Sequence, residues 1–259
     1  MPTNQVSSEA NRVKFQYVLH LADNVLILGQ RLGAWCGHGP VLEQDIAITN
    51  IALDLIGQAR SYYQYAAELE GQARDEDDLA YLRNEMEFQN CLLLETENRD
   101  WGYTLVRQFL WDTYHYELLR GLSVSNDDRL RAIALKSIKE VTYHRRYSSE
   151  WMIRLGDGTE LSHQKMQTAL DDLYPYAGEL TDPAPYEIAA AAAGYGVNPA
   201  TLKSAYDERL NDVLQQATLN KPADDWHQTG GKTGRHTEKL GYLLAEMQQL
   251  KRAHPEAKW

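Results

Sequence analysis

Apolar residues recur at helical spacing along almost the whole chain, and no run shows the β-branched alternation of a strand. The expectation is an all-α protein. The longest periodic runs predict helices over about 9–32, from the turn "GAWCGHGP" (33–40) to about 70, over 100–120 and over 127–155. Glycines and Pro40 make the first turn. "GQARDEDD" (71–78) breaks the second run, 76–91 reads as a shorter connecting helix, and "TENRD" (96–100) as a loop. Gly121 ends the third long helix, "SVSNDD" supplies turn and N-cap residues for the fourth, and "LGDG" stops it.

Two long helical hairpins joined by a crossover describe a ferritin-like four-helix bundle. The chain reads as one domain, residues 1–259, with the bundle over about 9–155 and accessory C-terminal helices over about 160–179, 184–193, 199–216 and 236–253. Pro175 is expected to kink or end the first accessory helix. The loop 220–236, "NKPADDWHQTGGKTGRH", is expected to be mobile or shaped by a partner.

Composition narrows the function. A formal charge of -11, from 37 acidic against 26 basic residues, disfavours nucleic acid or an anionic membrane as the main ligand. Cys36 and Cys91 are too few for a disulfide framework, and a cytoplasmic setting is expected. The first fifteen residues are polar with no apolar signal core, and no eighteen apolar residues run together, so neither export nor a membrane span is expected.

Di-iron bundles take one carboxylate from each of two helices and a Glu-x-x-His pair from each of the other two. In an antiparallel hairpin, ligands at one depth lie symmetrically about the turn. Asp112 and Val141 are symmetric about 126–127, and the pair slot there reads "VTYH", with Val141 in the glutamate position and His144 in place. Asn24 and Leu55 are symmetric about Gly39 and Pro40, and their slot reads "LIGQ", with Leu55 and Gln58 in the ligand positions.

Only Asp112 and His144 then keep a usable donor, so no bound metal and no catalytic residue are expected in this chain. Asp112 and His144 are expected as an interior polar pair, extended by Glu140 or Arg31. A register shifted by one residue would use Asp23, Asp54, Asp112, Glu140 and His144, but it lacks the histidines of the motif. "GGKTG" (230–234) lacks the glycine spacing of a phosphate loop; Lys232, Arg235 and His236 are instead candidates for contacting an anion or a partner subunit.

The block "LADNVLILGQRLGAWCGHGPVLEQDIAITNIALDLIGQARSYYQYAAEL" (21–69), with "WDTYHYELLRGL", "SIKEVTYHRRYSSEWMIRLGDGT" and "TGGKTGRHTEKLGYLLAEMQQL", resembles the C subunits of bacterial phenylacetyl-CoA epoxidases. That resemblance implies a ferritin-like structural subunit without a working metal site. Its partner would be a catalytic A subunit that holds the di-iron centre and epoxidises the aromatic ring of phenylacetyl-CoA with oxygen. Electrons would come from NADPH through a separate reductase, and other subunits of the complex are expected partners. Two-fold pairing is the expected state of the isolated chain. The alternatives are a stand-alone di-iron oxidase on the shifted set, and a scaffold for a different oxygenase. The first hairpin turn, "RLGAWCGHGPVLEQD", is the expected partner contact.

Overall fold

The computed structural model describes residues 3–223 and 226–257, with side chains from residue 9 onward. Nine α-helices and four short 3-10 turns account for the described regular structure: α1 (Thr3–Gly33), α2 (Leu42–Glu70), α3 (Glu76–Tyr81), α4 (Trp101–Leu122), α5 (Asp128–Gly156), α6 (Glu160–Thr181), α7 (Pro185–Ala192), α8 (Lys203–Gln216) and α9 (Glu238–Ala253). There is no strand among the described residues.

Local chemistry sets the boundaries. Asp100 Oδ1 accepts from Tyr103 N (3.1 Å) to start α4, and Asp127 Oδ1 accepts from Arg129 N and Leu130 N (both 3.0 Å) to start α5. Gly71, at φ 65°, closes α2 in the left-handed conformation that glycine adopts without strain. Between α1 and α2, Asp45 Oδ1 accepts from Gly37 N (2.8 Å) and Gly39 N (3.1 Å), which ties the turn to the first coil of α2. α1 pairs with α2, α4 pairs with α5, and α2 packs on α5. The two hairpins enclose a core that includes Leu28, Leu55, Phe109, Trp111 and Val141, each at most 1% exposed.

The segment after α3 departs from the expectation. The predicted helix over 76–91 stops at Tyr81, a 3-10 turn follows at Glu85–Glu87, and residues 88–91 run extended into a second 3-10 turn, Leu92–Glu95. This last turn touches α1, α4, α6 and α9. A helix is unnecessary here because side chains from elsewhere satisfy the backbone. Asp23 accepts from Gln89 N (2.9 Å), Asn24 Oδ1 from Cys91 N (2.8 Å) and Glu179 from Leu92 N (2.8 Å).

Pro175 does not end α6, which continues to Thr181. The Pro175 carbonyl accepts from Gln228 N (2.7 Å) in the following loop. Of the loop 220–236, residues 224 and 225 lie outside the described residues. The stretch 230–236 is held against the body rather than left free: Glu179 Oε1 accepts from Gly230 N at 2.8 Å. Among the described residues no helix is long and apolar enough to cross a membrane.

Candidate functional site: the polar interior of the bundle

The six positions that a di-iron bundle would use are all buried. Leu55 and Val141 are 0% exposed and pack with the core, so the carboxylate positions of the two pair slots hold hydrocarbon. Gln58, on α2, donates from Nε2 to Glu140 Oε2 on α5 (2.9 Å), leaving its own carbonyl oxygen without a partner.

Asp112, on α4, accepts from Gln108 Nε2 (2.7 Å) and from Ser148 Oγ on α5 (2.8 Å). Burial pushes its carboxyl up to about 6, even though the nearby His144 and both hydrogen bonds pull the other way. His144 is within reach of Asp112 electrostatically, but its hydrogen bond goes elsewhere. Its Nε2 faces Asp54 Oδ2 on α2 at 2.9 Å. The carboxylate accepts there, so Nε2 carries a proton and Nδ1 is left buried and unpartnered. The expected Asp112 and His144 pair is therefore two separate bonds, Asp112 with Ser148 and His144 with Asp54.

Arg31 is a second correction. It donates to the carbonyls of Glu95 (Nη2, 2.7 Å) and Lys239 (2.9 Å), joining α1 to the crossover and to α9, and takes no part in the interior network. Five donors in a planar fork suit it to collecting carbonyls from two segments at once.

Asn24 also points away from the bundle centre. Besides Cys91 N, it meets His20 Nε2 through Nδ2 (3.1 Å). Asp23 is committed to Arg83: the two side chains pair in two-pronged fashion, with Tyr63 Oη donating to Asp23 Oδ1 at 2.6 Å. The shifted set of Asp23, Asp54, Asp112, Glu140 and His144 is thus dispersed, with Asp23 consumed by a guanidinium. Among the described residues no three His, Cys, Asp or Glu side chains converge as a metal ion would need. A two-iron centre requires several anionic oxygens around two ions. The residues present do not fit one.

The candidate loop is corrected in the same direction. Lys232 is 4% exposed, and its Nζ meets Glu187 Oε2 (3.0 Å) and the Asp182 carbonyl (2.7 Å). His236 is wedged between Glu95 Oε2 and the Phe88 carbonyl, 2.8 Å from each. Neither side chain is available to an external anion; only Arg235 of the three is exposed. Burial leaves them no choice, since a buried charge is tolerated only when paired.

One buried cluster has no counterpart among the sequence expectations. Glu187, on α7, lies 3.4 Å from His20 on α1 and beside Lys232. Burial would raise its carboxyl, but His20, Lys232 and the Ala184 amide hold it down at about 2. The only local signal is a glutamate three residues after Ala184 at the start of a helix opening on Pro185, where its carboxylate accepts from Ala184 N at 2.7 Å.

Fold and interior together define a ferritin-like helical bundle whose ligand positions are largely occupied by neutral or apolar side chains. The family model described as "Phenylacetic acid catabolic protein" matches residues 1–259, and the chain belongs to that family. It is 48% identical over 243 residues to the Escherichia coli (strain K12) protein named as the C subunit of 1,2-phenylacetyl-CoA epoxidase, covering 94% of this chain and 98% of that one.

Proposed function

We propose that this chain is the non-catalytic C-type subunit of a multicomponent phenylacetyl-CoA epoxidase, supporting a separate catalytic subunit that carries the di-iron centre. The observation that carries the reading is the refilling of the ligand positions: Leu55 and Val141 are core hydrocarbon, and Gln58 is bonded to Glu140. The name of the Escherichia coli relative supports the same assignment. No cofactor and no catalytic residue are proposed for this chain. Its setting is the cytoplasm, and the isolated chain pairs with itself.

Reconstitution tests the proposal. Phenylacetyl-CoA, oxygen, NADPH, reductase and catalytic subunit are combined with or without this chain, and formation of the ring epoxide is followed. Turnover depends on the chain and survives Asp112→Ala, and the purified chain contains far less than one iron. Near-stoichiometric iron, with turnover lost in Asp112→Ala, would overturn the reading in favour of an active metal site here. Turnover unchanged when the chain is omitted would remove it from the reaction altogether.

A further inference from the structure

The middle of the bundle carries more polar groups than its hydrogen bonds consume. On α4, Gln108, Trp111, Asp112 and His115 stand three or four residues apart and so share one face. Glu140, His144 and Ser148 do the same on α5, and Asp54 and Gln58 on α2. The bonds from Gln58 to Glu140, from His144 to Asp54 and from Ser148 to Asp112 join these three faces into one polar seam.

Five atoms of the seam have no partner among the described residues: Gln58 Oε1, Gln108 Oε1, Trp111 Nε1, His115 Nδ1 and His144 Nδ1. Each of these residues is at most 3% exposed. An amide flip relieves neither glutamine. Both already donate to carboxylates, Gln58 to Glu140 at 2.9 Å and Gln108 to Asp112 at 2.7 Å, so the amide oxygen is the free end of each. His144 gives its Nε2 proton to Asp54, so Nδ1 presents a lone pair. His115 is neutral, since burial and the nearby His144 lower its pKa to about 3. Its ring lies against Trp111, with centroids 4.8 Å apart.

This set of atoms selects its ligand. It combines acceptors, two amide oxygens and an imidazole nitrogen, with an indole N–H that only donates. Asp112 is 0% exposed and both of its oxygens already accept hydrogen bonds, so a cation at this depth finds no free anionic oxygen. An apolar guest would leave all five atoms unpaired in the core. Water both donates and accepts, and a buried water is held by about two to four such groups. Residues 140, 144 and 148 follow one another at about 6 Å along α5, so no single water serves the whole seam. One end meets solvent: Asp54, with 38% of its side chain exposed, and Gln58 line a cleft of about 420 Å³ between α2 and α5.

We propose that the seam is an internal hydration site, in which a short file of ordered waters bonds to Gln58, Gln108, Trp111, His115 and His144 and exchanges with solvent through the α2/α5 cleft. Water thus takes up the hydrogen-bonding capacity that remains where Leu55 and Val141 stand in ligand positions.

The test uses the full isolated chain, nitrogen-labelled. Cross-relaxation between water and the Trp111 indole proton carries the sign of a water held longer than the protein tumbles, and relaxation dispersion of water oxygen counts such waters. In Gln58→Leu/Gln108→Leu the count falls by at least one water per chain and the Trp111 cross-peak weakens at least twofold. Thr142→Ala, at an exposed position of α5, leaves both unchanged. Circular dichroism and melting identical to wild type exclude misfolding, and the Trp111 signal of the wild-type chain tests the site without any substitution.

A folded wild-type chain with no long-lived water at Trp111, or a water count unchanged in the double variant, would overturn the site. Iron analysis of the same sample separates this outcome from failure of the proposed function. Near-stoichiometric iron would overturn both, whereas iron-free protein lacking the water signal would overturn the hydration site and leave that function standing.

Discussion

Asp23→Asn tests the clearest energetic statement in the structure. Asp23 is 0% exposed and Arg83 2%, and the carboxylate collects the guanidinium, the Tyr63 hydroxyl and Gln89 N. Asparagine keeps the shape and one carbonyl oxygen, so one of the neutral donors retains an acceptor. What disappears is the negative charge, leaving a buried guanidinium held by the Leu79 and Glu87 carbonyls and the Tyr63 hydroxyl oxygen, all of them neutral. Removing one partner of a buried pair costs about 3–5 kcal/mol, because the remaining charge has been taken out of water and is uncompensated. Against a domain stability of about 5–15 kcal/mol, that is a large fraction. Equilibrium urea unfolding, with the slope checked for constancy, reads the loss directly. Lys136→Gln, at an exposed position of α5, serves as the control, within about 0.5 kcal/mol of wild type. A loss below about 1 kcal/mol for Asp23→Asn would refute the reasoning, since it would mean that Arg83 finds water or another acceptor.

Two further predictions concern pH. Asp112 titrates near 6 when folded because burial disfavours its charged form, against about 3.9 when unfolded. A raised folded value means stability that is complete below pH about 4 and is lost as pH rises through about 6. Asp112→Asn therefore removes up to roughly 3 kcal/mol of decline between pH 4 and 7.5, measured as the difference in urea unfolding between variant and wild type. Burial alone would lower the pKa of His236, but the Glu95 carboxylate and the Phe88 carbonyl outweigh it, and the imidazole stays protonated above its ordinary range. Its contribution is complete below about pH 6.5 and is lost as pH climbs through the raised value. The stability advantage of wild type over His236→Gln thus shrinks as pH rises above about 6.5, and nitrogen NMR at about pH 6.5 finds protons on both ring nitrogens, each of which faces an acceptor.

The long helices are legible because their boundaries are written locally. Asp100, Asp127 and Gly71 stand beside the residues they cap, and the core stripes of α2 and α5 repeat at helical spacing. Hairpin symmetry likewise places Leu55 and Val141 in the interior. The crossover reads as helix in the sequence and is not one, because its backbone is satisfied by Asp23, Asn24 and Glu179, which are 66 to 87 residues away in the chain. No window around residue 90 contains that information. The same distance hides the true partners of His144 and Arg31, and it hides that of Lys232, whose glycine-rich surroundings read as a contact for an anion or a partner subunit until Glu187 is brought against it.

The Leu92–Glu95 turn also imposes an order of events on folding. Glu95 is fully buried, and its carboxylate is satisfied by Asn90 Nδ2, by His236 and by Thr237 N. Two of these three groups are made more than 140 residues later. While the chain is being synthesised, the bundle helices can associate through local hairpin contacts, but the turn that touches α1, α4, α6 and α9 retains an open carboxylate until the stretch before α9 emerges. Contacts of such long range close late and slowly. Shortening the chain before residue 236 would therefore leave the buried Glu95 carboxylate with Asn90 Nδ2 alone of its three partners, an unpaired charge at the junction of four helices.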